Sequence, residues 1–437
     1  MMGREEGGEN HMSNEIENPL LPKSSGRVTG TASAAQTLGN IIVSIVGTGV
    51  LGLPFAFRVA GWLAGCLGVM IAGLSTYYCM LLLIQCRDKL VSEDTSSTET
   101  KTYGDLGYKC MGKAGRFLTE FLIFTSQCGG SVAYLVFIGQ NLFSIFKSYT
   151  SLTYRSFIFL VVPVQIVLSW INSLSALAPF SIFADICNVL AMTLVVKEDV
   201  QKILGGEFSF SDRKAVSSNI RGLPFAGGMA VFCFEGFGMT FALESSMRER
   251  GRFSKLLAQA FTGITLVYVM FGFFGFMAYG DDTKDIVTLN LPKDWSSIAV
   301  QMGLCVALIF TFPIMVHPVH EIIEGSLKKS SFFQTHPCIS YDNNSTPRLG
   351  KFVIYISRAI LVVALAAIAS FIPGFGAFTS LVGSTLCSLI SFVLPALYHL
   401  ILLGSSLNFW QRSLDVCILL CGLLFAVNGT YNSIVGV

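Results

Sequence analysis

The sequence predicts an all-α integral membrane protein. Three observations lead to this class: an apolar composition, a series of apolar stretches long enough to cross a bilayer, and two stretches in which glycines interrupt such a helix. Hydrophobic residues make up 52% of the 437 residues and charged residues 13%, about half the charged share of a soluble domain. The net charge of +2 and the scattered basic residues argue against nucleic acid as a partner.

Apolar runs of about 20 residues are long enough to span a lipid bilayer as helices. We expect eleven spans, at 34–57, 62–86, 117–146, 154–175, 179–196, 220–243, 254–279, 295–325, 352–372, 375–402 and 412–434. The polar residues before the first span predict a disordered cytosolic tail over 1–33. The chain would then contain a five-helix set at 34–197, an extracytosolic loop at 198–219, a second five-helix set at 220–402 and the eleventh helix within 403–437.

Lysine and arginine are more frequent on the side of the membrane that holds the N-terminal tail. With this topology 18 lie on that side and 10 on the other, and Arg358, inside a span, completes the 29. An excess of basic residues marks the cytoplasmic side, which predicts a cytosolic N-terminus and an extracytosolic C-terminus. Asn343 and Asn344 belong to glycosylation sequons that this topology places in the cytosol.

Cysteine and histidine do not indicate a metal site. Nine of the 12 cysteines lie within apolar runs and are interpreted as buried small hydrophobic residues. His317 and His320 precede Glu321 and Glu324, but Pro318 disturbs the helix and no third histidine accompanies them. This cluster is interpreted as interfacial structure, or as a gate or proton sensor. No metal and no resident cofactor is predicted.

The first span is interrupted at Ser44–Phe57, where three glycines and a proline follow one another closely. In hydrocarbon each unpaired backbone N–H or C=O costs several kcal/mol, so a broken helix persists only where protein, water or a ligand satisfies the freed groups. Glycines in membrane helices also serve close packing, but the clustering of Gly47, Gly49 and Gly52 with Pro54 favours an unwound segment.

A matching interruption lies in the sixth span, at Gly227–Met239. Glycines 236 and 238 and the ionisable Glu235 lie near its middle. Broken helices in corresponding positions of two helix sets are typical of transporters with an inverted repeat and a binding site at the membrane midplane. Because five is odd, the second set would be inserted upside down relative to the first. The sequence thus predicts two inverted five-helix repeats with broken helices one and six.

Half-helix ends at such breaks expose unpaired backbone groups. An N-terminal end offers N–H donors to an anion, and a C-terminal end offers carbonyls to a cation. A zwitterionic amino acid presents both charges on neighbouring groups. We therefore expect Gly47, Thr48 and Gly49 to hold a carboxylate, and the carbonyls near Phe234, Glu235 and Gly236 to accept an ammonium.

The side chains beside the two breaks are mostly apolar. Val46 and Val50 lie at the first break, and Phe232 and Phe234 at the second. A pocket lined by these groups favours neutral or aromatic amino acids as substrates.

Three motifs resemble the amino acid/auxin permease family: Gly47–Phe57, Phe232–Gly238 with Leu243–Met247, and Phe371–Ser384. The resemblance covers nearly all of the chain from about residue 30, and it is closest to the plant aromatic-and-neutral and vacuolar amino acid transporters. It implies a bacterial leucine-transporter-like fold and transport of amino acids, commonly coupled to protons. Carried over by position, it implies carboxylate contacts at residues 47–49 and ammonium contacts at residues 234–236.

Three further residues are candidates for roles in transport. Glu235 is an acid near the membrane midplane, where an ionisable group is costly and usually functional, so it is the proton-coupling candidate. Tyr134, in the middle of span three, is a candidate for lining the substrate site. Some relatives bind sodium between the first and eighth spans, where Thr311 would be the ligand. Co-transport of H+ is expected, with Na+ as the alternative.

The polar tail contains Glu17-Asn18-Pro19-Leu20-Leu21. This segment resembles an acidic dileucine signal, which directs membrane proteins to vacuoles or lysosomes, although its spacing is one residue short of the usual form. If sorting adaptors bind the tail, the protein is expected in the vacuolar membrane, and otherwise in the plasma membrane.

Other functions remain open at this point. A permease for an auxin-like indole acid, a polyamine or another small solute would share the broken helices, and uptake of labelled candidates would separate these substrates. An amino-acid-sensing transceptor would bind without net flux, but the long soluble domain expected of a dedicated signalling protein is missing. A membrane enzyme is disfavoured because no nucleophile, base and acid, and no metal motif, lie at one membrane depth.

Overall fold

The computed structural model describes residues 32–93, 102–171, 174–205, 213–219, 221–329 and 348–435. Within these ranges the chain is helical and contains no strand. The α-helices are α1 (Ala34–Ile45), α2 (Leu53–Ala60), α3 (Trp62–Glu93), α4 (Tyr103–Phe146), α5 (Tyr154–Ser169), α6 (Leu174–Leu204), α7 (Gly222–Cys233), α8 (Thr240–Ser246), α9 (Phe253–Tyr279), α10 (Trp295–Lys329), α11 (Arg348–Phe371), α12 (Phe375–Val382), α13 (Leu394–Leu403) and α14 (Phe409–Val435). The dileucine-like segment and the two sequons lie outside the described residues.

Eight of the described helical segments are long and apolar enough to cross a membrane, or nine if the bent pair Ala34–Ile45 and Thr48–Ala60 forms one span. Each coincides with one of the predicted spans. Helix α5 is apolar but shorter, and α6 is not among the candidate spans found in the described residues. The membrane protein class is therefore confirmed, whereas the count of eleven spans and the inverted repeat stay predictions.

The end of α6 differs from the sequence prediction. The predicted fifth span ended at 196 and a loop began at 198, but α6 continues to Leu204. Its last turns pack against α9: Asp199 is fully buried, and the Lys202 ammonium lies 4.3 Å from the centre of the Tyr279 ring. The helix continues past the predicted boundary because these polar residues are held in it by tertiary contacts that a hydropathy pattern does not contain.

The start of α4 also lies earlier than the predicted span, which began at 117. Thr102 and Asp105 form a capping box at its N-terminus, each side chain hydrogen-bonded to the backbone N–H of the other at 3.1 Å. Satisfying two free N–H groups in this way is a strong helix-start signal. The helix is kinked at Met111 and Gly112, where Gly112 has φ 64°. The residues before the kink therefore form a separate helical segment ahead of the apolar part.

Glycines after α2 allow the chain to pack closely at two points. The Phe57 ring, which is fully buried, occupies the space beside Gly65 of α3, where an added Cβ would lie 2.7 Å from the ring. Gly61 ends α2 with φ 95°, and a Cβ there would lie 2.6 Å from the carbonyl oxygen of Ala215. Gly65 thus permits the close packing of the Phe57 ring against α3.

The two broken helices lie at the centre of the helix packing. Helix α2 packs against α7 and α9, and α12 packs against α7. Helix α4 packs against α10, which in turn packs against α6. The chain between α12 and α13 forms two π-helical turns, Gly383–Cys387 and Leu389–Val393. Such turns frequently occur at functional sites, and the first of these packs against α7.

Candidate substrate site at two helix breaks

The first break separates α1 from α2. Helix α1 ends at Ile45, and Val46 has extended backbone angles while its N–H still bonds to the Ile42 carbonyl at 2.8 Å. Gly47 is extended too, and a 3-10 helix, Thr48–Gly52, leads into α2. The helix axis bends by 45° here. The unwound segment predicted from the glycines and the proline is therefore present.

The second break separates α7 from α8. Helix α7 ends at Cys233, and the N–H groups of Phe234 and Glu235 bond back to the carbonyls of Val231 and Phe232 at 3.1 and 3.3 Å. Gly236 then begins a 3-10 turn, Phe237–Met239, which leads into α8. The predicted interruption of the sixth span is therefore also present.

The two breaks lie against each other in a crossed arrangement. A Cβ added to Gly49 would lie 3.2 Å from the Cys233 Sγ atom, so the start of the first 3-10 helix lies beside the end of α7. A Cβ added to Gly236 would lie 3.2 Å from Ile45 Cγ1 and 4.0 Å from the Ser44 carbonyl oxygen, so the start of the second 3-10 turn lies beside the end of α1. Each N-terminal end, with its N–H donors, therefore adjoins a C-terminal end with its carbonyls.

A tyrosine that sequence reasoning missed connects the two C-terminal ends. The hydroxyl of Tyr268, on α9, lies 3.2 Å from the Ile45 carbonyl oxygen and 3.3 Å from that of Cys233. The side chain is fully buried, and its ring centre lies 5.1 Å from that of Phe234. The available sequence signal was a tyrosine in the middle of an apolar, phenylalanine-rich helix, but the pairing with both breaks depends on the tertiary structure.

Backbone donors remain available at the first break. The N–H groups of Thr48 and Gly49 belong to the first turn of a 3-10 helix, which offers no acceptor within the helix, and Gly47 supplies no side-chain cap. A Cβ added to Gly47 would have no atom within 4 Å. The donors predicted to bind a carboxylate therefore border open space at Gly47.

Carbonyl acceptors remain available at the second break. The carbonyls of Phe234 and Glu235 lie beyond the last residue of α7. Because the helix has ended there, no N–H group of the same helix is placed to donate a hydrogen bond to them. The Gly236 carbonyl, by contrast, already accepts the Met239 N–H at 3.2 Å. Of the three predicted ammonium contacts, Phe234 and Glu235 offer the freer carbonyls.

A small cavity lies on the α8 side of the breaks. Its volume is about 10 Å³, and its lining includes Ser44, Gly236 and Thr240, so it has room for about one water molecule. The Thr240 hydroxyl is buried and has no hydrogen-bond partner. The polar groups beside the break therefore have space for one small hydrogen-bonding ligand.

Glu235 at the second break lies within electrostatic range of Tyr134 on α4. Both are half-buried, and the hydroxyl of Tyr134 lies within electrostatic range of the carboxyl groups of Glu235 and of Asp185 on α6. Among the described residues no hydrogen bond or ion pair is formed by the Glu235 carboxyl. The proton-coupling candidate thus lies at the second break, and no residue that the structure describes acts as its counter-ion.

The predicted pocket side chains fall into two groups. Val50 and Phe234 are completely buried, and the Phe234 ring packs between Tyr268 and Phe261. Their side chains belong to the hydrophobic core, and their role as pocket lining stays a prediction. Val46 and Phe232 are only partly buried and are the side chains at the breaks that a ligand can contact.

The structure does not link Thr311 to either break. Its hydroxyl donates to the Ala307 carbonyl of its own helix at 3.1 Å, and α10 packs chiefly against α4 and α6. The sodium-ligand role of Thr311 therefore stays a prediction without structural support. In the described part of the chain, no group of three or more His, Cys, Asp or Glu residues could hold a metal ion.

Arg358 forms a buried ion pair. Its guanidinium contacts the Glu324 carboxylate at 2.7 Å and donates to the Ser169 carbonyl at 2.8 Å. His320 is buried nearby on α10, and His317 Nδ1 lies 3.8 Å from the Glu321 carboxylate. This cluster joins α10, α11 and α5, and it is separate from the helix breaks.

A second buried ion pair was missed by sequence reasoning. The guanidinium of Arg87, near the end of α3, contacts the Glu244 carboxylate on α8, and lies 5.5 Å from the centre of the Phe241 ring. Both charged side chains are less than a tenth exposed. The pair attaches the short helix α8 to α3.

Two helices that are broken near their middle and pack against each other at the breaks are typical of membrane transporters. The solved structure of Mhp1, a nucleobase-cation-symport-1 family transporter in a closed conformation with bromovinylhydantoin bound, matches with a TM-score of 0.53 and 12% identity, and the match covers 94% of this chain and 92% of that one. At this identity the likeness concerns the fold alone.

The chain belongs to the transmembrane amino acid transporter protein family, whose profile matches residues 30–435. It is 68% identical over 421 residues to amino acid transporter ANT1 of Arabidopsis thaliana, with 96% of each chain covered. It is 37% identical over 435 residues to amino acid transporter AVT3C of the same plant, with 96% of this chain and 93% of that one covered. This is a family of transporters and not of enzymes.

Proposed function

We propose that this chain is a secondary active transporter of neutral and aromatic amino acids, coupled to protons, that works by alternating access around the two helix breaks. The observation that carries the proposal is the crossed arrangement of the breaks. Free N–H donors near Gly47 and free carbonyls at Phe234 and Glu235 belong to neighbouring backbone segments. A zwitterionic headgroup matches this pairing of donors and acceptors.

The binding step follows from the partial charges of the half-helix ends. The substrate carboxylate accepts hydrogen bonds from the N–H groups of Gly47, Thr48 and Gly49, where the helix dipole also favours negative charge. The ammonium donates to the carbonyls of Phe234 and Glu235. An auxin-like acid would leave the carbonyls unpaired, which makes an amino acid the better substrate.

The proton is carried by Glu235 in this proposal. A carboxylate without a counter-ion in a closed, water-poor site is costly, whereas the protonated carboxyl is neutral and can be enclosed. Binding a proton therefore permits the site to close around the substrate, and losing the proton on the other side favours reopening. Tyr134 lies close enough to Glu235 to respond to this change of charge.

The substrate side chain would extend toward Phe232 and Val46. Both are apolar and partly exposed at the breaks, and no lysine or arginine among the described residues forms an ion pair with Glu235. An apolar subsite of this kind favours neutral and aromatic side chains over charged ones.

The test is uptake by the purified protein in liposomes, with labelled phenylalanine and an imposed pH gradient. Wild type should accumulate substrate when a proton gradient is present. Glu235→Gln should lose this accumulation but retain exchange of internal for external substrate, because the neutral amide resembles the protonated carboxyl. Glu120→Gln removes a carboxylate that is paired with Arg116 at 2.7 Å outside the site, and should behave as wild type.

Two results would contradict the proposal. Full proton-driven accumulation by Glu235→Gln would show that this residue is not required for proton coupling. Binding of amino acids by the wild-type protein without any flux would favour a transceptor. Repeating the uptake with a sodium gradient at equal pH tests the alternative coupling ion.

The resident membrane is part of the same proposal. The dileucine-like segment at Glu17–Leu21 supports a vacuolar location reached through sorting adaptors. A fluorescent fusion of the full chain should label the vacuolar membrane, and replacement of Leu20 and Leu21 by alanine should shift it to the plasma membrane. An unchanged distribution would exclude this segment as the signal.

A further inference from the structure

A second polar cluster lies away from the helix breaks, between α3, α13 and α14. It consists of Tyr78 and Gln85 on α3, His399 on α13 and Asp415 on α14. His399 is 2% exposed and Asp415 is completely buried. Ionisable groups within membrane helices are costly and usually functional, and the proposed transport mechanism does not use this pair.

The His399 ring has an oxygen within hydrogen-bonding distance of each of its two nitrogens. Nδ1 lies 2.6 Å from an oxygen of Asp415, and Nε2 lies 3.0 Å from the Gln85 side-chain oxygen. The second Asp415 oxygen accepts the Tyr78 hydroxyl at 3.1 Å. A neutral imidazole has one N–H donor and one acceptor, whereas an imidazolium has two donors. Oxygens at both ring nitrogens match the two N–H donors of an imidazolium.

One side of this cluster is open. Gln85 is exposed, while Asp415 behind the ring is sealed from solvent. Nε2 therefore points to the exposed side of the cluster, whereas Nδ1 is enclosed. Gln85 lies in the last third of α3, toward the end of the helix that also carries the buried Arg87.

The titratable groups near this cluster include phenols and thiols, and Arg87 and Arg412 lie on α3 and α14 within three residues of Gln85 and Asp415. Tyr78, Cys79 and Cys86 face Asp415 from α3, and Cys110 faces Cys86 from α4. Phenols and thiols are ordinarily neutral at physiological pH. Histidine is the side chain that ordinarily changes charge between about pH 5 and 8, so the ring of His399 is the group in this cluster suited to respond to pH.

We propose that His399 and Asp415 form a proton-binding site, separate from the substrate site, which controls the packing of α3 against α13 and α14 and thereby the pH at which the protein transports. The inference rests on the proposed transport function. When the ring is protonated, it donates to Asp415 and Gln85 together and joins all three helices. When the ring loses its proton, it can donate to only one of them, so one of the two helix contacts loses its hydrogen bond.

The test is substrate exchange in liposomes at equal pH on both sides, measured from about pH 5 to pH 8, the range in which histidine ordinarily titrates. Without a gradient, exchange reports transport itself and not proton-driven accumulation. Wild type should show a pH-dependent rate, and His399→Gln should lose that dependence. Asp415→Asn should move the midpoint to lower pH, and Gln85→Glu to higher pH, each by about one unit, because a carboxylate beside the ring favours its charged form.

His320→Gln is the matched control. His320 is also buried, on α10, but its Nε2 has no hydrogen-bond partner, and its replacement should leave the midpoint of the exchange profile unchanged. The proposal is overturned if His399→Gln lowers exchange equally at every pH with the wild-type midpoint, or if Gln85→Glu and Asp415→Asn leave the midpoint in place. Such results would make the cluster a structural contact only.

Failure of the transport function itself would look different. In that case wild type would exchange no amino acid at any pH.

Thermal unfolding of the purified protein gives a readout that is independent of flux. The wild type should be more stable than His399→Gln at acidic pH, with the difference shrinking as pH rises, because the protonated ring makes one more hydrogen bond in the folded protein. A difference that does not change with pH would overturn the proposal.

Discussion

Gly47 and Gly49 lie two residues apart at the first break but have different surroundings. An added Cβ meets open space at Gly47, whereas at Gly49 it would lie 3.2 Å from both Cys233 and Phe232. Gly47 has φ −115°, which any residue adopts. Gly49 therefore permits the close approach of the two breaks, while Gly47 leaves space in front of the free N–H groups.

Gly47→Ala tests whether that space receives the substrate. The protein should fold, because the methyl group meets no neighbour, but it would occupy the position proposed for the carboxylate. Loss of one hydrogen bond to a charged group, about 1.5 kcal/mol, corresponds to a rise in KM of about tenfold. Uptake kinetics would measure it, with Gly263→Ala on α9 as the control, since a Cβ there also meets open space. An unchanged KM would show that the substrate carboxylate binds at another position.

Tyr268→Phe tests the hydroxyl that lies between the two half-helix ends. Removing it leaves the buried carbonyls of Ile45 and Cys233 without this partner, which should destabilise the protein by about 1–3 kcal/mol. We also expect weaker substrate binding, because the breaks lose a fixed contact. Thermal unfolding and KM would be measured together.

Tyr154→Phe is the matched control for this substitution. The Tyr154 hydroxyl also donates to a backbone carbonyl, that of Ile372 at 2.6 Å, at a turn between α11 and α12. Its loss should lower stability without changing KM. If both variants changed KM equally, or if neither did, the special role assigned to Tyr268 would be lost.

Among the helical elements, α8 stands out as short and charged. It contains seven residues, too few to be stable alone, and therefore depends on its contacts. The ion pair between Arg87 and Glu244 supplies one of these, and the Arg87 guanidinium also lies over the Phe241 ring of α8. The position of α8 relative to α3 is thus set by a buried charge pair.

Breaking this pair on one side should be costlier than removing both charges. Arg87→Met leaves the Glu244 carboxylate buried and unpaired, and a loss of this kind costs about 3–5 kcal/mol. The double variant Arg87→Met with Glu244→Met should recover much of this stability, since no unpaired charge remains. Thermal unfolding of the single and double variants would measure the coupling, and additive losses would show that the charges do not interact.

For the molecule as a whole, hydropathy was sufficient to predict the membrane class and the positions of the candidate spans. The two breaks were also predictable, because glycine clustered with proline has a direct backbone consequence. The roles of Tyr268 and Arg87 were not, since each depends on a partner more than 150 residues away in sequence. The orientations of Val50 and Phe234 were likewise unpredictable, because adjacent residues at a break point in directions that depend on local backbone angles.

The predicted topology has a consequence for the two termini. An odd number of spans places them on opposite sides of the membrane, with the N-terminus in the cytosol according to the positive-inside rule. Tags at the two ends of the full chain, in sealed vesicles of known orientation, should therefore differ in accessibility to protease. Equal accessibility of both tags would show an even number of spans and would contradict the inverted repeat followed by one further helix.

The Tyr268 hydroxyl has a consequence for the rate of conformational change. It carries one proton but lies within bonding distance of two carbonyl oxygens, so it cannot follow both helix ends if they move apart. Separation of the ends would require one of these contacts to be given up and later regained. At a net value of about 1 kcal/mol per hydrogen bond, this exchange alters the opening rate by less than about tenfold. The shared hydroxyl can thus hold the two helix ends together without preventing their separation.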